Sequence, residues 1–446
     1  MHPLDSAPPK NALWRVASAS FAGTTIEYYD FAIYGLASAL VFPAVFFSAS
    51  DPLTGTLGAF ATFAVGFVAR PLGGILFGHF GDKVGRKPIL VFTLVLMGVA
   101  STAIGLLPGY AQIGVAAPIL LVTLRIVQGV AFGGEWGGAV LMAFEYATPG
   151  RRGLFASLPQ VGPAAGALIG NAVFALVALL PQDQLLSWGW RIPFLASAVL
   201  VVIGLLIRLK IAESPEFTAA KSSGRETRVP ILHVLRHDLG RAALVMGGFL
   251  GFGAFAGLAI TYMVTYATAT VGVPASSILP IILIANAVQL PLMILSGFLA
   301  DRIGFRPLMI AGPIIAIVGV FVLFAGVNTG QWTLMLLAYV FAFGVGYTVC
   351  AGAQPALFAD AFTPEVRYTG MSLGYTLANV LGTGILPFVA ALLLAATGSG
   401  YAIAAYVAVL LVVSLVCLNL LITVSRRRVR AVGVEAAESV DTAGAA

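Results

Sequence analysis

The chain has 446 residues, of which 59% are hydrophobic and 9% charged, and its mean hydropathy is +0.99. Ordinary soluble domains are roughly 45–50% apolar and about 25% charged. That contrast excludes a water-soluble enzyme, because too little polar surface exists to cover a globule of this size; lipid is the solvent for most of the chain. The 24 basic and 18 acidic residues give a formal charge of +6, which has to be read from its distribution over loops. Cys350 and Cys417 both lie in apolar runs, so no disulfide framework or thiolate metal site is expected.

A lipid-embedded helix takes about 20 apolar residues. In the first half, spans are expected near 17–45, 54–77, 89–108, 114–145, 154–180 and 191–209. In the second half, residues 242–300, 307–359 and 368–425 carry no Asp, Glu, Lys or Arg, and their lengths of 59, 53 and 58 residues each suit two helices and a turn. Gly272 to Pro274, Asn328 to Gly330 and Gly398 to Gly400 supply the turns. Twelve transmembrane helices are expected, in an all-α membrane protein.

Basic residues of short loops are retained in the cytoplasm. Lys10, Arg15, Lys83, Arg86, Lys87, Arg151, Arg152, the linker from Arg208 to Arg241, Arg302, Arg306, Arg367 and the run Arg426 to Arg430 fall on one side; the other offers Asp51, Asp183 and Arg191. Both termini are therefore expected to be cytoplasmic, and the excess charge reports topology rather than nucleic-acid binding. The first apolar segment contains Glu27 and Asp30 and has no small-residue cleavage site, so no removable signal peptide is expected.

The stretch from Gly78 to Pro88, GHFGDKVGRKP, recurs from Gly297 to Pro307 as GFLADRIGFRP, 219 residues later. Glu145 and Arg152 recur as Asp360 and Arg367, offset by 215. Two related halves of six spans follow, and since six is even they are parallel repeats. The expected organisation is an N-terminus over 1–16, a six-helix bundle over 17–209, a cytoplasmic linker over 210–240, a second bundle over 241–425 and a tail over 426–446. In the repeated motif Gly78 and Gly85 are expected to permit a tight turn and close helix approach. Asp82, Arg86 and Lys87 place opposite charges at the cytoplasmic mouth. With Glu145, Arg152, Asp301, Arg306, Asp360 and Arg367 they form a candidate gate whose salt bridges exist in one conformation and break in the other.

GHFGDKVGRK resembles the signature loop of the major facilitator superfamily. IEYYDFAIYG, RPLGGILFGHFGD, RIVQGVAFGGEWGG, SWGWRIPF, ESPEF and EVRYTGMSLGY resemble its metabolite:proton symporter family over nearly the whole chain. That family includes carriers of shikimate, 2-oxoglutarate, citrate and proline or betaine, and the first half is most similar to the shikimate-type branch. The resemblance implies two six-helix bundles, a bacterial inner membrane location and proton-coupled uptake of a small organic anion or zwitterion by alternating access. It implies no cofactor, no obligate protein partner and a monomer. In the second half, Phe305 replaces the usual basic residue and Asp360 the usual Glu.

An ionisable group at bilayer depth costs about 2.5–3.5 kcal/mol on insertion scales, so its presence points to function. Five positions qualify: Glu27 and Asp30 in the first span, Arg70 in the second, Arg125 and Glu135 in the fourth. Glu27 and Asp30 share a helix face, where two carboxylates in low dielectric do not both ionise easily, so one is expected to carry the coupled proton. The competing reading is a permanent pair with Arg70 or Arg125. Glu135 joins them as a coupling candidate. Arg125 lies about eleven residues, or roughly 17 Å, from the outer end of its span, near the midplane where substrates bind in such architectures. A guanidinium there can hold a carboxylate bidentately, and Gln128, Phe132 and Glu135 continue its stripe. Arg70 and Tyr28 are further substrate candidates. With no charge inside its spans, the second half offers Tyr262, Tyr266, Asn286, Gln289, Gln354, Tyr375 and Asn379.

Gly162, Gly166 and Gly170 in the fifth span suit close helix contact. The Gly162-Pro163 and Gly166 pattern also partly matches drug:proton antiporters, the alternative reading, although Leu158 and Ala167 stand where two of that motif's glycines would be. His233 and His237 have helical ligand spacing but lie in the linker without a carboxylate cluster, so a solvated face is expected rather than a metal site or an enzyme centre.

Overall fold

The computed structural model describes residues 10–47, 52–223 and 229–444. The linker charges Arg225, Glu226 and Arg228, the outer-loop Asp51 and the start of the N-terminal segment lie outside the described residues, as do the side chains of the Arg426 to Arg430 run. Among the described residues no β-strand occurs. In hydrocarbon the backbone has no water to bond to, so each apolar run closes its hydrogen bonds within itself as a helix.

Among the described residues ten helices are long and apolar enough to cross a membrane: α3 (Arg86–Leu106), α4 (Ala116–Tyr146), α5 (Arg152–Val177), α6 (Gln182–Leu209), α7 (Pro230–Val271), α8 (Ala275–Ile303), α9 (Phe305–Asn328), α10 (Trp332–Asp360), α11 (Arg367–Thr397) and α12 (Gly400–Ser425). Two further long helices, α1 (Lys10–Leu40) and α2 (Pro52–Val84), complete the twelve. Three of the connections turn on glycines at positive φ, Gly272 at 80°, Gly330 at 65° and Gly398 at 65°. Leucines, valines and phenylalanines such as Val68, Leu72, Val199, Leu206, Val318 and Phe388 stay exposed on the outside, where lipid replaces protein neighbours.

Three local expectations are corrected. Gly78 and Asp82 lie in the last turns of α2, not in a loop; the turn is made by Gly85 alone, at φ 124°, and its repeat mate Gly304 does the same at 83°. Helix extends through part of the expected linker, since α7 begins at Pro230. Arg208 is a residue of α6 and only 4% exposed, because its guanidinium turns into the bundle to meet an acid.

Within the first half α1 packs on α5, α4 on α2 and α3, and α3 on α6; within the second, α7 packs on α11 and α12, α9 on α12 and α10, and α8 on α10. The two halves meet through α2 with α11 and α5 with α8. The sequence repeat maps α2 onto α8 and α5 onto α11, so these two contacts are related by a pseudo-two-fold axis.

Candidate functional site: a closed gate and a charged cavity

At the end that carries the linker, the repeated aspartates lie opposite helix N-termini. The first backbone N–H groups of a helix have no internal partner and carry partial positive charge, so a carboxylate completes them. Asp82 accepts from the Tyr368 and Thr369 amides at 3.2 and 2.9 Å and from the Thr369 hydroxyl at 2.8 Å, at the start of α11. Asp301 accepts from the Gly153 and Leu154 amides, both at 2.8 Å, at the start of α5. Gly78 is what lets α2 come this close: a Cβ there would stand 2.8 Å from Thr369 Cα.

A buried ion network reinforces the closure. Glu145 Oε1 accepts from Arg86 at 3.3 Å and from Arg367 at 3.0 Å, which ties α4 of one half to α11 of the other. Arg86 also lies 3.5 Å from Asp82 and donates to the Pro364 carbonyl at 2.7 Å. The linker takes part through its ESPEF segment, whose helix Pro215–Ser222 is capped by the Ser214 hydroxyl. Glu213 accepts from the Arg86 and Lys87 amides, Ser214 donates to Glu145, and Glu216 bridges Arg152 and Arg367.

Not every expected gate residue joins. Lys87 donates to the Leu209 carbonyl at 3.0 Å, inside its own half. Arg306 and Asp360 are exposed and, among the described residues, make no ion pair. Arg152, the residue Asp360 would meet if the two halves were symmetric, is held by Glu216 of the linker instead.

The charged residues of the first half surround a small cavity lined by Glu27, Asp30, Phe31, Arg70, Arg125, Gln128 and Phe132, with Gly66, Met97 and Gly129. Asp30 is fixed by two hydroxyls, accepting from Ser101 at 2.6 Å and Ser197 at 2.5 Å. Gln128 donates to Ser101 at 2.7 Å and accepts from Arg125 at 3.2 Å, so Arg125 and Asp30 belong to one relay. The Arg125 guanidinium also lies 4.0 Å over the Tyr34 ring.

Glu27 differs. It is fully buried, and among the described residues neither carboxylate oxygen has a hydrogen-bond partner. The charged groups acting on it are Glu135, Arg70, Arg208 and Asp30. Among the described residues no ion pair joins it to Arg70, so the competing reading, a permanent pair with that residue, is not met in this state. Arg70 lies over aromatic faces, 3.6 Å from the Phe132 ring centroid and 4.0 Å from that of Phe67, with its Nε unpartnered. Tyr28 packs beside it on Phe132 at 5.3 Å.

Glu135, grouped by its spacing with the coupling acids, is engaged. Arg208 donates to both its oxygens, Thr93 donates to Oε2 at 2.8 Å, and Arg208 also donates to the Leu90 carbonyl. Of the second-half candidates, Tyr262, Asn286, Tyr375 and Asn379 do not line this cavity. Tyr375 stacks on Trp136 of α4 at 3.4 Å and 7°, closing the halves on each other, while Asn379 donates to the Tyr375 carbonyl at 3.1 Å. Tyr262 is buried on α7, and Asn286 is half-buried on α8. Tyr266 and Gln289 are engaged with Asn328 and the Phe343 carbonyl.

The twelve-helix arrangement agrees with the comparisons with known proteins. Residues 16–236 match the sugar (and other) transporter family model and residues 281–440 that of the major facilitator superfamily. The chain is 40% identical over 421 residues to the inner membrane metabolite transport protein YhjE of Escherichia coli (strain K12), covering 92% of this chain and 94% of that one. It is 39% identical over 404 residues to the shikimate transporter of the same organism, covering 88% and 90%. Among solved structures, the proton:xylose symporter XylE bound to 6-bromo-6-deoxy-D-glucose superposes with a TM-score of 0.73 at 18% identity, over 91% of this chain and 95% of that one, which shows a shared fold.

The chain belongs to the metabolite:proton symporter family of the major facilitator superfamily. This symporter-family member is a multi-pass transporter of the inner (plasma) membrane, not an enzyme.

Several side chains that hold the gate and cavity residues in place escape a reading of the sequence. Arg208 falls in the last turn of a span and counts there as a loop charge; the signal for it is Glu135, an intramembrane acid in need of a base. Ser101, Ser197 and Thr93 are hydroxyls in apolar helices, a pattern common to any such helix. Trp136, whose Nε1 donates to Gln160 at 2.8 Å, is one more aromatic among 11%. Gly162, Gly166 and Gly170 bring α5 against α1, where added Cβ atoms would meet Thr24, Thr25 and Ala32, a packing role that does not depend on the direction of transport.

Proposed function

We propose that this transporter takes up a small organic acid or zwitterionic metabolite together with a proton by alternating access, with the linker and both termini in the cytoplasm. The orientation rests on the basic residues crowding the linker end. The closed gate at that end is the state that would present the cavity to the opposite side.

One observation carries the reading: Glu27 is buried without a hydrogen bond in the cavity that also holds Arg70. An ionised carboxylate buried without a partner is costly, while the neutral acid is tolerated. An arriving substrate carboxylate supplies negative charge to Arg70, and a proton on Glu27 keeps the cavity's total charge balanced. Arg70 is preferred over Arg125 as the anion-holding residue, because Arg125 is already tied to Gln128 and Tyr34 whereas Arg70 faces the cavity from a bed of rings. Phe31, Phe67, Phe132 and Tyr28 add apolar faces suited to the ring or methyl groups of the substrate. Shikimate fits this description, and the relative that bears its name supports including it first.

The test uses reconstituted vesicles and counterflow with shikimate, 2-oxoglutarate, citrate and glycine betaine. An inward proton gradient is expected to drive accumulation of the exchanged compound, and Glu27→Gln is expected to retain exchange but not accumulation. Accumulation unaffected by Glu27→Gln would remove the coupling reading.

A further inference from the structure

A second small cavity lies in the first half on the linker side of the Glu135–Arg208 pair, lined by Ala19, Ser20, Lys87, Leu90, Met142, Arg208 and Ile211. It shares no lining residue with the cavity around Glu27. Three helices nevertheless connect the two cavities by stripes along one helix face, at three- and four-residue spacing on α1 and α3 and with a two-turn step on α4. On α1 the stripe is Glu27, Gly23 and Ser20. On α3 it is Met97, Thr93 and Leu90; on α4 it is Phe132, Glu135 and Met142. In each stripe the first residue lines the outer cavity, the second meets the Glu135–Arg208 pair and the third lines the inner cavity, except that on α4 Glu135 is itself a member of the pair.

Gly23 marks how close the pair comes to α1. A Cβ there would collide with Arg208 Nη2 and stand 2.8 Å from Glu135 Oε1. Arg208 thus lies one helical turn from Glu27, whose oxygens are unpartnered.

We propose that the coupled proton leaves through this stripe and the inner cavity, by a route separate from the substrate's, with Arg208 as the positioning residue that alternates between Glu135 and Glu27. The inference rests on the proton-coupled reading above and names the path that reading requires. At the start Glu27 is protonated and Arg208 pairs with Glu135. As Arg208 moves one turn to Glu27, the Glu27 O–H proton passes to a Glu135 oxygen, leaving ionised Glu27 with Arg208 and neutral Glu135. The buried net charge is the same before and after, so the exchange avoids isolating a charge. Glu135 then gives its proton to water in the inner cavity beside Ser20, and Arg208 returns when Glu27 takes a proton from the outer side. Arg70 and Asp30 are the other charges facing Glu27.

The experiment measures two quantities in vesicles: proton influx with a trapped pH dye, and counterflow with shikimate or whichever compound of the panel above the wild type exchanges. Ser20→Leu fills the inner cavity. Glu135→Gln with Arg208→Gln removes the exchange of partners without leaving either charge unpaired. Both are expected to lower substrate-driven proton influx about tenfold or more, with counterflow within about twofold and no longer dependent on external pH. Wild-type proton influx in both variants overturns the separate route and leaves the coupling reading standing. Equal loss of influx and counterflow also overturns it, because one path would then serve both. Absence of proton influx in the wild type ends both readings.

Discussion

Asp82 on α2 and Asp301 on α8 hold the same position in the two repeats and each caps a helix of the opposite half, Asp82 at Thr369 and Asp301 at Leu154. The relation is reciprocal, so closure of one end of the molecule is fastened on both sides of the pseudo-two-fold axis. In the alternating-access cycle proposed above, substrate passage at that end would require both caps to be released. A side-chain cap of this kind contributes about 0.5–2 kcal/mol.

Asp82→Ala and Asp301→Ala are each expected to shift the equilibrium toward opening at the linker end by about 1–2 kcal/mol, a factor of about 5–30. Ser157 is fully buried at the α5–α8 contact, so a cysteine placed there in a background without Cys350 and Cys417 reports the opening. Its reaction with an impermeant maleimide from the linker side should accelerate in both variants. Unchanged labelling would show that the caps do not hold the closed state.

Gly78→Ala tests the same contact by sterics instead of charge. The added methyl would meet the backbone of Thr369, which cannot rotate away as a side chain could. Labelling at position 157 should rise as for Asp82→Ala, with helix content by circular dichroism unchanged.

Glu145 is expected to be the costliest single residue of the gate. Its removal leaves Arg86 and Arg367 buried without their shared acid, and breaking a buried pair costs about 3–5 kcal/mol. Glu145→Ala should lower the thermal unfolding temperature in detergent markedly. Arg306→Ala and Asp360→Ala, at exposed positions outside the ion network, should leave it unchanged.

Arg70→Lys and Arg125→Lys separate the two cavity cations. Lysine keeps the charge but loses the planar face that lies over Phe132 and the paired donors that fit a carboxylate. Arg70→Lys is expected to raise KM for a carboxylate substrate about tenfold or more, whereas Arg125→Lys, which disturbs the relay through Gln128 and Ser101 to Asp30, should act mainly on proton-driven accumulation. The reverse pattern would exchange their roles.

The linker contribution is testable without touching either bundle. Glu216→Gln weakens the bridge between Arg152 and Arg367. A partly exposed pair contributes less than a buried one, so labelling at position 157 should rise by less than in Asp82→Ala.

Hydropathy, turn glycines and the internal repeat determine the spans, the two related halves and the gate motif, because these are local signals: an apolar run, a residue tolerant of positive φ, a spacing. The intramembrane acids and bases are legible for the same reason. Their partners are not. Whether Glu135 or Glu27 is the paired acid depends on how α1, α4 and α6 are rotated about their axes, and only packing fixes those rotations. The tertiary structure brings Arg208 inward to Glu135, leaves Glu27 alone beside Arg70, and puts Glu216 of the linker where the sequence repeat suggests Asp360. Charges pair by the faces that helices turn toward one another across many residues of intervening chain, and no short-range pattern records which faces those are.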